Sequence, residues 1–213
     1  MKTALSFDDV LLVPQYSEIF TRKDIKIQQK LKGLHPLRLP IISSPMDTVT
    51  EDRMACAMHQ EGGVGIIHRY NTVVEQASMV AEVRMSGHQV GAAIGVGDTS
   101  IERARALVEA GVNFLCIDVA HGHHAKVRYA LETLRDTLDD DIHIMAGNVA
   151  TLEAFNDLAD WGADSIRVGI GGGSICSTRI QTGHGMPTLQ SVMDCAESDR
   201  DVTLIADGGI RTS

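Results

Sequence analysis

The chain has 213 residues, 19 of them basic and 28 acidic, a formal net charge of −9. An acidic balance excludes a general nucleic-acid binder, which needs a basic face to displace counterions. Apolar residues at 44% and charged residues at 22% are those of a soluble globular chain able to bury a sizeable core, which excludes disorder. The opening MKTALSFDDVLLVPQYSE carries acids at positions 8 and 9, where a secretory leader needs an apolar stretch. No apolar run approaches the roughly 20 residues of a membrane span, so no membrane partner is expected. Cys56, Cys116, Cys176 and Cys195 contain no CxxC pair, which is neither a disulfide framework nor a zinc ribbon. A reduced, cytoplasmic protein is expected.

In chain order, short apolar runs occur at Leu39–Ser43, Val64–His68, Val90–Val96, Phe114–Val119, Ile142–Ala146, Ser165–Ile170 and Val202–Ala206. They are near-continuous rather than alternating, as in strands of a parallel sheet buried on both faces. Helical spacing follows at Glu51–Glu61, Thr72–Met85, Ser100–Ala110, Ala125–Leu138, Leu152–Trp161 and Leu189–Glu197. Asp98-Thr99-Ser100 and Thr151 are expected N-caps, with Gly111 and Gly162 as stops. A βα repeat of roughly 25 residues results, in a single domain over residues 1–213. The polar, glycine-rich segments all follow strands, and no G-x-G-x-x-G follows the first. Both features predict a (β/α)8 TIM barrel, whose active site gathers such loops at one face, over a Rossmann fold. Seven βα units in a chain ending at Ser213 predict an incomplete, open or partner-completed barrel.

The densest segment is Arg167–Thr178, RVGIGGGSICST. Its glycines let backbone approach a ligand, free N–H groups there can form an anion nest, and carbonyls on the other side can hold a monovalent cation. Ser174 suits a phosphate oxygen. Cys176 stands on the loop as a candidate nucleophile, its thiolate helped by loop N–H groups and Arg179. Cys56, Cys116 and Cys195 read as core residues. Asp47, Asp118 and Asp207 end strands, where a carboxylate can hold ribose hydroxyls or a cationic ring. His121, His123 and His124 lack the spacing of a helical metal site and read as a groove lining. His68 and Arg69 can reach the same face, and His143 reads as a packing histidine.

The segments LSFDDVLLVPQYS, SSPMDTVTE, EGGVGIIHR, DVAHGHH, AGNVAT, RVGIGGGSICSTR and ADGGIR, in this order, resemble the catalytic barrel of the IMP dehydrogenase / GMP reductase family. The resemblance implies that Cys176 attacks C2 of a purine nucleotide (IMP, XMP or GMP), with Thr178 assisting the water or ammonia step. It implies that Ser44, Met46, Arg167, Ser174, Asp207, Gly208 and Gly209 bind the nucleotide. Asp118, Val119, Ala120, Asn148, Gly169, Ile170 and Gly171 would face the nicotinamide of NAD or NADP. The carbonyls of Gly171, Gly173 and Cys176 resemble a potassium site, and the family implies a homo-tetramer. Three departures are visible. Gly172 stands where the family loop has proline, which raises the entropic cost of ordering it. Met85 connects directly to Val90, where most dehydrogenases insert CBS modules. A chain that truly ended at Ser213 would lack the eighth strand and the flap, and is expected to be weakly active or inactive. The dehydrogenase direction is favoured, with GMP reductase and an inactive nucleotide-binding barrel as alternatives. A flavin-dependent barrel is a further competing class.

Overall fold

The computed structural model describes residues 3–139 and 141–211. Strands β1 (Ile42–Ser43), β2 (Val64–Ile67), β3 (Val90–Ile94), β4 (Phe114–Asp118), β5 (His143–Val149), β6 (Ser165–Val168) and β7 (Thr203–Ala206) form one sheet in sequence order. Every neighbouring pair is parallel. Between them run α1 (Asp52–Glu61), α2 (Val73–Met85), α3 (Ser100–Glu109), α4 (Ala125–Thr137), α5 (Leu152–Asp160), α6 (Thr178–Thr182) and α7 (Thr188–Cys195). Sequential parallel strands with a helix in every crossover are the architecture of a (β/α)8 barrel, here a curled sheet of seven strands.

Two separate cores explain the unbroken apolar runs. Successive side chains of a strand point to opposite faces. Ile67, Ala92, Ile94, Leu115, Ile117, Ile144, Ala146, Ile166 and Val168 pack outward against the helices. Val64, Ile66, Ala93, Phe114, Cys116 and Met145 fill the inside of the curl, together with Leu31, Leu34 and Leu37 from the segment before β1. Gly91 faces the same interior, and a Cβ there would lie 2.2–2.6 Å from the Phe114 ring carbons. Gly91→Ala is therefore expected to overpack the interior and lower the thermal midpoint by about 5 °C, read by circular dichroism. A change under about 1 °C would show that the ring moves freely.

The boundaries differ from the sequence expectation in instructive places. β1 is two residues long, and β5 runs on to Val149 rather than stopping at Ala146. Thr72 and Thr151 cap α2 and α5 by accepting from the Glu75 and Ala154 amides at 3.2 and 3.3 Å. The expected cap at Asp98-Thr99-Ser100 does not form. Thr99 has φ −91° and ψ 2°, outside the extended region a capping side chain needs, and makes no cap bond. The short helix α6 is not among the helical stretches expected from sequence, and α7 starts one residue before Leu189.

Candidate active site

The alternation that builds the interior also places charge at its mouth. Cys116 faces inward on β4, so Asp118 does too, and Arg167 on β6 and Asp207 after β7 face them. Arg167 is 8% exposed, yet its guanidinium donates to Asp118 Oδ1 at 2.7 Å and to Asp207 Oδ2 at 2.8 Å. Burial alone would push this guanidinium down, but the groups facing it, Cys116 and then the Asp207 and Asp118 carboxylates, hold it above its ordinary value. The register of β5 against β6 shifts between Gly147 and Val149, leaving Asn148 as the extra residue. Asn148 is buried, and its amide donates to Gly169 O at 2.8 Å and Asp207 Oδ2 at 2.6 Å. Gly147 is required beneath it, because a Cβ would stand 2.7 Å from the Arg167 Cβ. From the other side, the Arg69 guanidinium donates to the Asp118 carbonyl at 3.2 Å.

The glycine loop packs against the turn that carries Asp207. Gly169 has φ +148°, and a Cβ there would lie 2.2 Å from the Asp207 carbonyl oxygen. A Cβ on Gly208 would lie 3.2 Å from Gly173 Cα, and one on Gly209 would lie 3.2 Å from the Gly172 carbonyl oxygen. Ser174 follows Gly173 on this loop and is exposed. Cys176 is half-buried, and its amide donates to the Gly173 carbonyl at 3.2 Å. Hydrogen bonding from the Thr178 side chain and amide, with help from the Gly171 backbone and the Arg179 charge, holds its thiol below the ordinary value. Burial pushes Cys116 up to about 12 and Cys195 up to about 11. Iodoacetamide at pH 7 is therefore expected to label Cys176 at least tenfold faster than either, by peptide mass spectrometry, and equal rates would contradict this environment.

Beside the loop lies a cavity of about 370 Å³. Its walls include Gly171, Gly172, Arg179, Gly185, Thr188, Gly209 and Arg211, with Ser6, Phe7 and Asp8 from the N-terminal segment. That segment is tied down where the Leu5 carbonyl accepts from the Gln190 amide at 3.2 Å. Cys176 does not line this cavity. The Gly183–Thr188 return was not anticipated from sequence, although Gly183, Gly185 and Pro187 are turn-forming residues.

Other expected residues fall as follows. Ser44 and Met46 sit in the turn after β1, where the Ser44 carbonyl accepts from the Thr50 hydroxyl at 2.7 Å and the Met46 amide at 2.8 Å. The hydrogen bonds they make are local to that turn. Asp47 is exposed. Val119 exchanges backbone bonds with Gly147 and Asn148, and Ala120 is exposed. Ile170 accepts from the Met186 amide at 2.9 Å. Asp118, Val119 and Ile170 are only partly covered, so this rim of the mouth is accessible. His124 caps α4 by accepting from the Lys126 amide at 3.0 Å, and His123 pairs with Asp157 at 2.8 Å and stacks on Trp161. His143 is buried against Ser165 Oγ at 2.8 Å and Phe114. Cys56 is half-buried rather than fully in the core.

The donors expected for potassium are differently placed. The Arg179 guanidinium donates to the carbonyls of both Gly171 and Gly173, the second at 3.3 Å. A second cation within about 4 Å of it would meet roughly 4 kcal/mol of repulsion at an effective dielectric of about 20. In this arrangement the loop does not fit a free potassium ion.

The model of the IMP dehydrogenase / GMP reductase domain matches residues 4–213. The chain is 38% identical to the inosine-5'-monophosphate dehydrogenase of Cryptosporidium parvum over 254 aligned positions, covering 98% of this chain and 62% of the relative. It is 33% identical to the enzyme of the same name from Borreliella burgdorferi, covering 100% of this chain and 65% of that protein. It is 29% identical to the GMP reductase of Leishmania major, covering 98% of this chain and 70% of that protein. The chain thus spans 62%, 65% and 70% of the length of these three relatives. A parallel barrel sheet, a cysteine on a glycine loop and a buried arginine between two strand-end carboxylates occur here in a chain matched almost end to end, and it belongs to the IMP dehydrogenase / GMP reductase family.

Proposed function

We propose that the chain is the catalytic barrel of a purine-nucleotide oxidoreductase working in the dehydrogenase direction, from IMP, NAD and water to XMP and NADH. The observation that carries the reading is Cys176: a partly exposed thiol of lowered pKa on a glycine loop, held against the Asp207–Gly209 turn. Its thiolate adds to C2 of the purine, forming a carbon–sulfur bond. The hydride departs from C2 with its electron pair, and a thioimidate remains on Cys176. Water then adds to the same carbon and loses a proton, the thiolate leaves, and XMP is released. NAD, when bound, supplies the hydride acceptor. Thr178 holds the thiolate and then the incoming water, Asp207 accepts from ribose hydroxyls, and Ser174 with the amides of Gly208 and Gly209 meets the phosphate. Ser44 and Met46 close the base side, and Asp118, Val119, Ala120, Gly169 and Ile170 line the nicotinamide side. Asn148 acts from behind, holding Asp207 and the Gly169 carbonyl.

A homo-tetramer in the cytoplasm completes the proposal. Self-association is supported by Leu11, Leu12, Tyr16 and Phe20 of the N-terminal segment, each at least 90% exposed. Among the described residues no helix is long and apolar enough to cross a membrane.

The test is an intact mass spectrum of protein acid-quenched after mixing with IMP and NAD. A species heavier by one nucleotide supports the proposal. Without it, oxidation of NADPH in the presence of GMP would assign the reductase direction. A nucleotide-dependent rise in melting temperature with neither reaction would assign a binding-only barrel.

A further inference from the structure

The glycine loop is built around an internal cation. The chain leaves β6 through Gly169–Gly173, turns through Cys176 into α6, stops at Gly183 with φ +71°, and returns so that the Met186 amide donates to the Ile170 carbonyl. This lasso brings Gly171 between Arg179 and Gly185. A Cβ on Gly171 would lie 3.3 Å from the Arg179 Cβ and 3.2 Å from Gly185 Cα. From that position the Arg179 guanidinium donates to two carbonyls, those of Gly171 and Gly173. The α6 C-terminus joins the same fold of chain, because the Gly183 amide donates to the Arg179 carbonyl at 3.1 Å. Four glycines and a short helix have little intrinsic reason to hold one shape. Two carbonyls that point the same way repel each other unless a cation lies between them.

We infer that Arg179 is a positioning residue which supplies, covalently, the positive charge that orders the Cys176 loop, so that this chain orders its loop without potassium. The guanidinium is always charged, and its Nη1 donates to both carbonyls, which a bare ion would otherwise bridge. The inference rests on the proposed function only in assigning this loop to Cys176 chemistry. Its test needs no turnover, so a catalytically silent protein still answers it.

The experiment is hydrogen–deuterium exchange of the peptide covering residues 169–178, in potassium chloride and in choline chloride at equal ionic strength. Three proteins are compared: wild type, Arg179→Ala and Arg179→Lys. Wild type is expected to exchange at the same rate in both salts. Arg179→Ala is expected to exchange about tenfold faster in choline and to regain protection in potassium, whose ion can now sit on the vacated carbonyls. Arg179→Lys, which keeps the charge on a shorter side chain, should fall between them in choline. Wild-type protection that rises several-fold with potassium would overturn the inference without recourse to any variant. So would an Arg179→Ala loop as protected in choline as the wild type. Peptides from β3 and β4, measured in the same runs, separate a local effect from unfolding.

Discussion

Turnover of Cys176→Ala is expected to fall by roughly four orders of magnitude or more, while nucleotide affinity changes by about threefold or less. The asymmetry follows from the loop. The nucleotide is to be gripped by Ser174 and the Asp207–Gly209 turn, whose packing runs through Gly172 and Gly173 and not through the thiol. Removing Sγ therefore deletes the bond-forming atom and leaves the grip. Stopped-flow absorbance at the reduced nicotinamide band measures the first quantity, and nucleotide-dependent thermal shift the second. A Cys176→Ala protein retaining a tenth of wild-type turnover would exclude covalent catalysis by this residue. Cys176→Ser tests the same point more gently, because a hydroxyl fills the space without giving a usable nucleophile.

The second large effect belongs to Arg167. Replacing it by methionine keeps most of the buried volume but leaves Asp118 and Asp207 together at the mouth without their cation. Breaking a buried ion pair from one side costs about 3–5 kcal/mol. For a chain of this size that is expected to lower the melting temperature by roughly 10 °C. Arg167→Met/Asp207→Asn should recover part of the loss, because one of the stranded charges is gone and the Asn148 bond to position 207 can survive by amide rotation. Strict additivity of the two single losses would mean that the 2.8 Å pair contributes no coupling. Arg167→Lys is not a conservative control here, since an ammonium cannot reach both carboxylates with the planar fork.

How far the sequence revealed all this depends on the element. The interior strands were legible because burial on both faces forces unbroken apolar runs, as in VGAAI and FLCI. β5 was cut short by reading Gly147-Asn148 as loop. A glycine and an asparagine look like a turn, and only the three-dimensional fit of Gly147 under Arg167 and of Asn148 onto Asp207 makes them strand. The same fit turns the Asn148 amide onto Asp207 and the Gly169 carbonyl. Strand-end aspartates were legible as charges at one face, but their shared partner was not, since the pairing links β4, β6 and β7 across 49 and 40 residues of chain. Helix α6 was missed because five residues carry less than two turns of periodic signal. The target of Arg179 was equally invisible. It is fixed by the Gly183–Met186 return, and a long basic side chain takes whichever carbonyls its loop presents.

The way Asp207 is held has a consequence for how the protein breathes. Its carboxylate accepts from Arg167 on β6 and from the Asn148 amide on β5. The turn through Gly208 and Gly209 therefore cannot lift without breaking bonds to two other strands, so it opens together with the β5–β6 end and not by itself. A nucleotide bound at that turn would act as a clasp on three strands at once. Amide exchange at the ends of β5, β6 and β7 should then slow together as nucleotide saturates, while the amides of β3 keep their own clock.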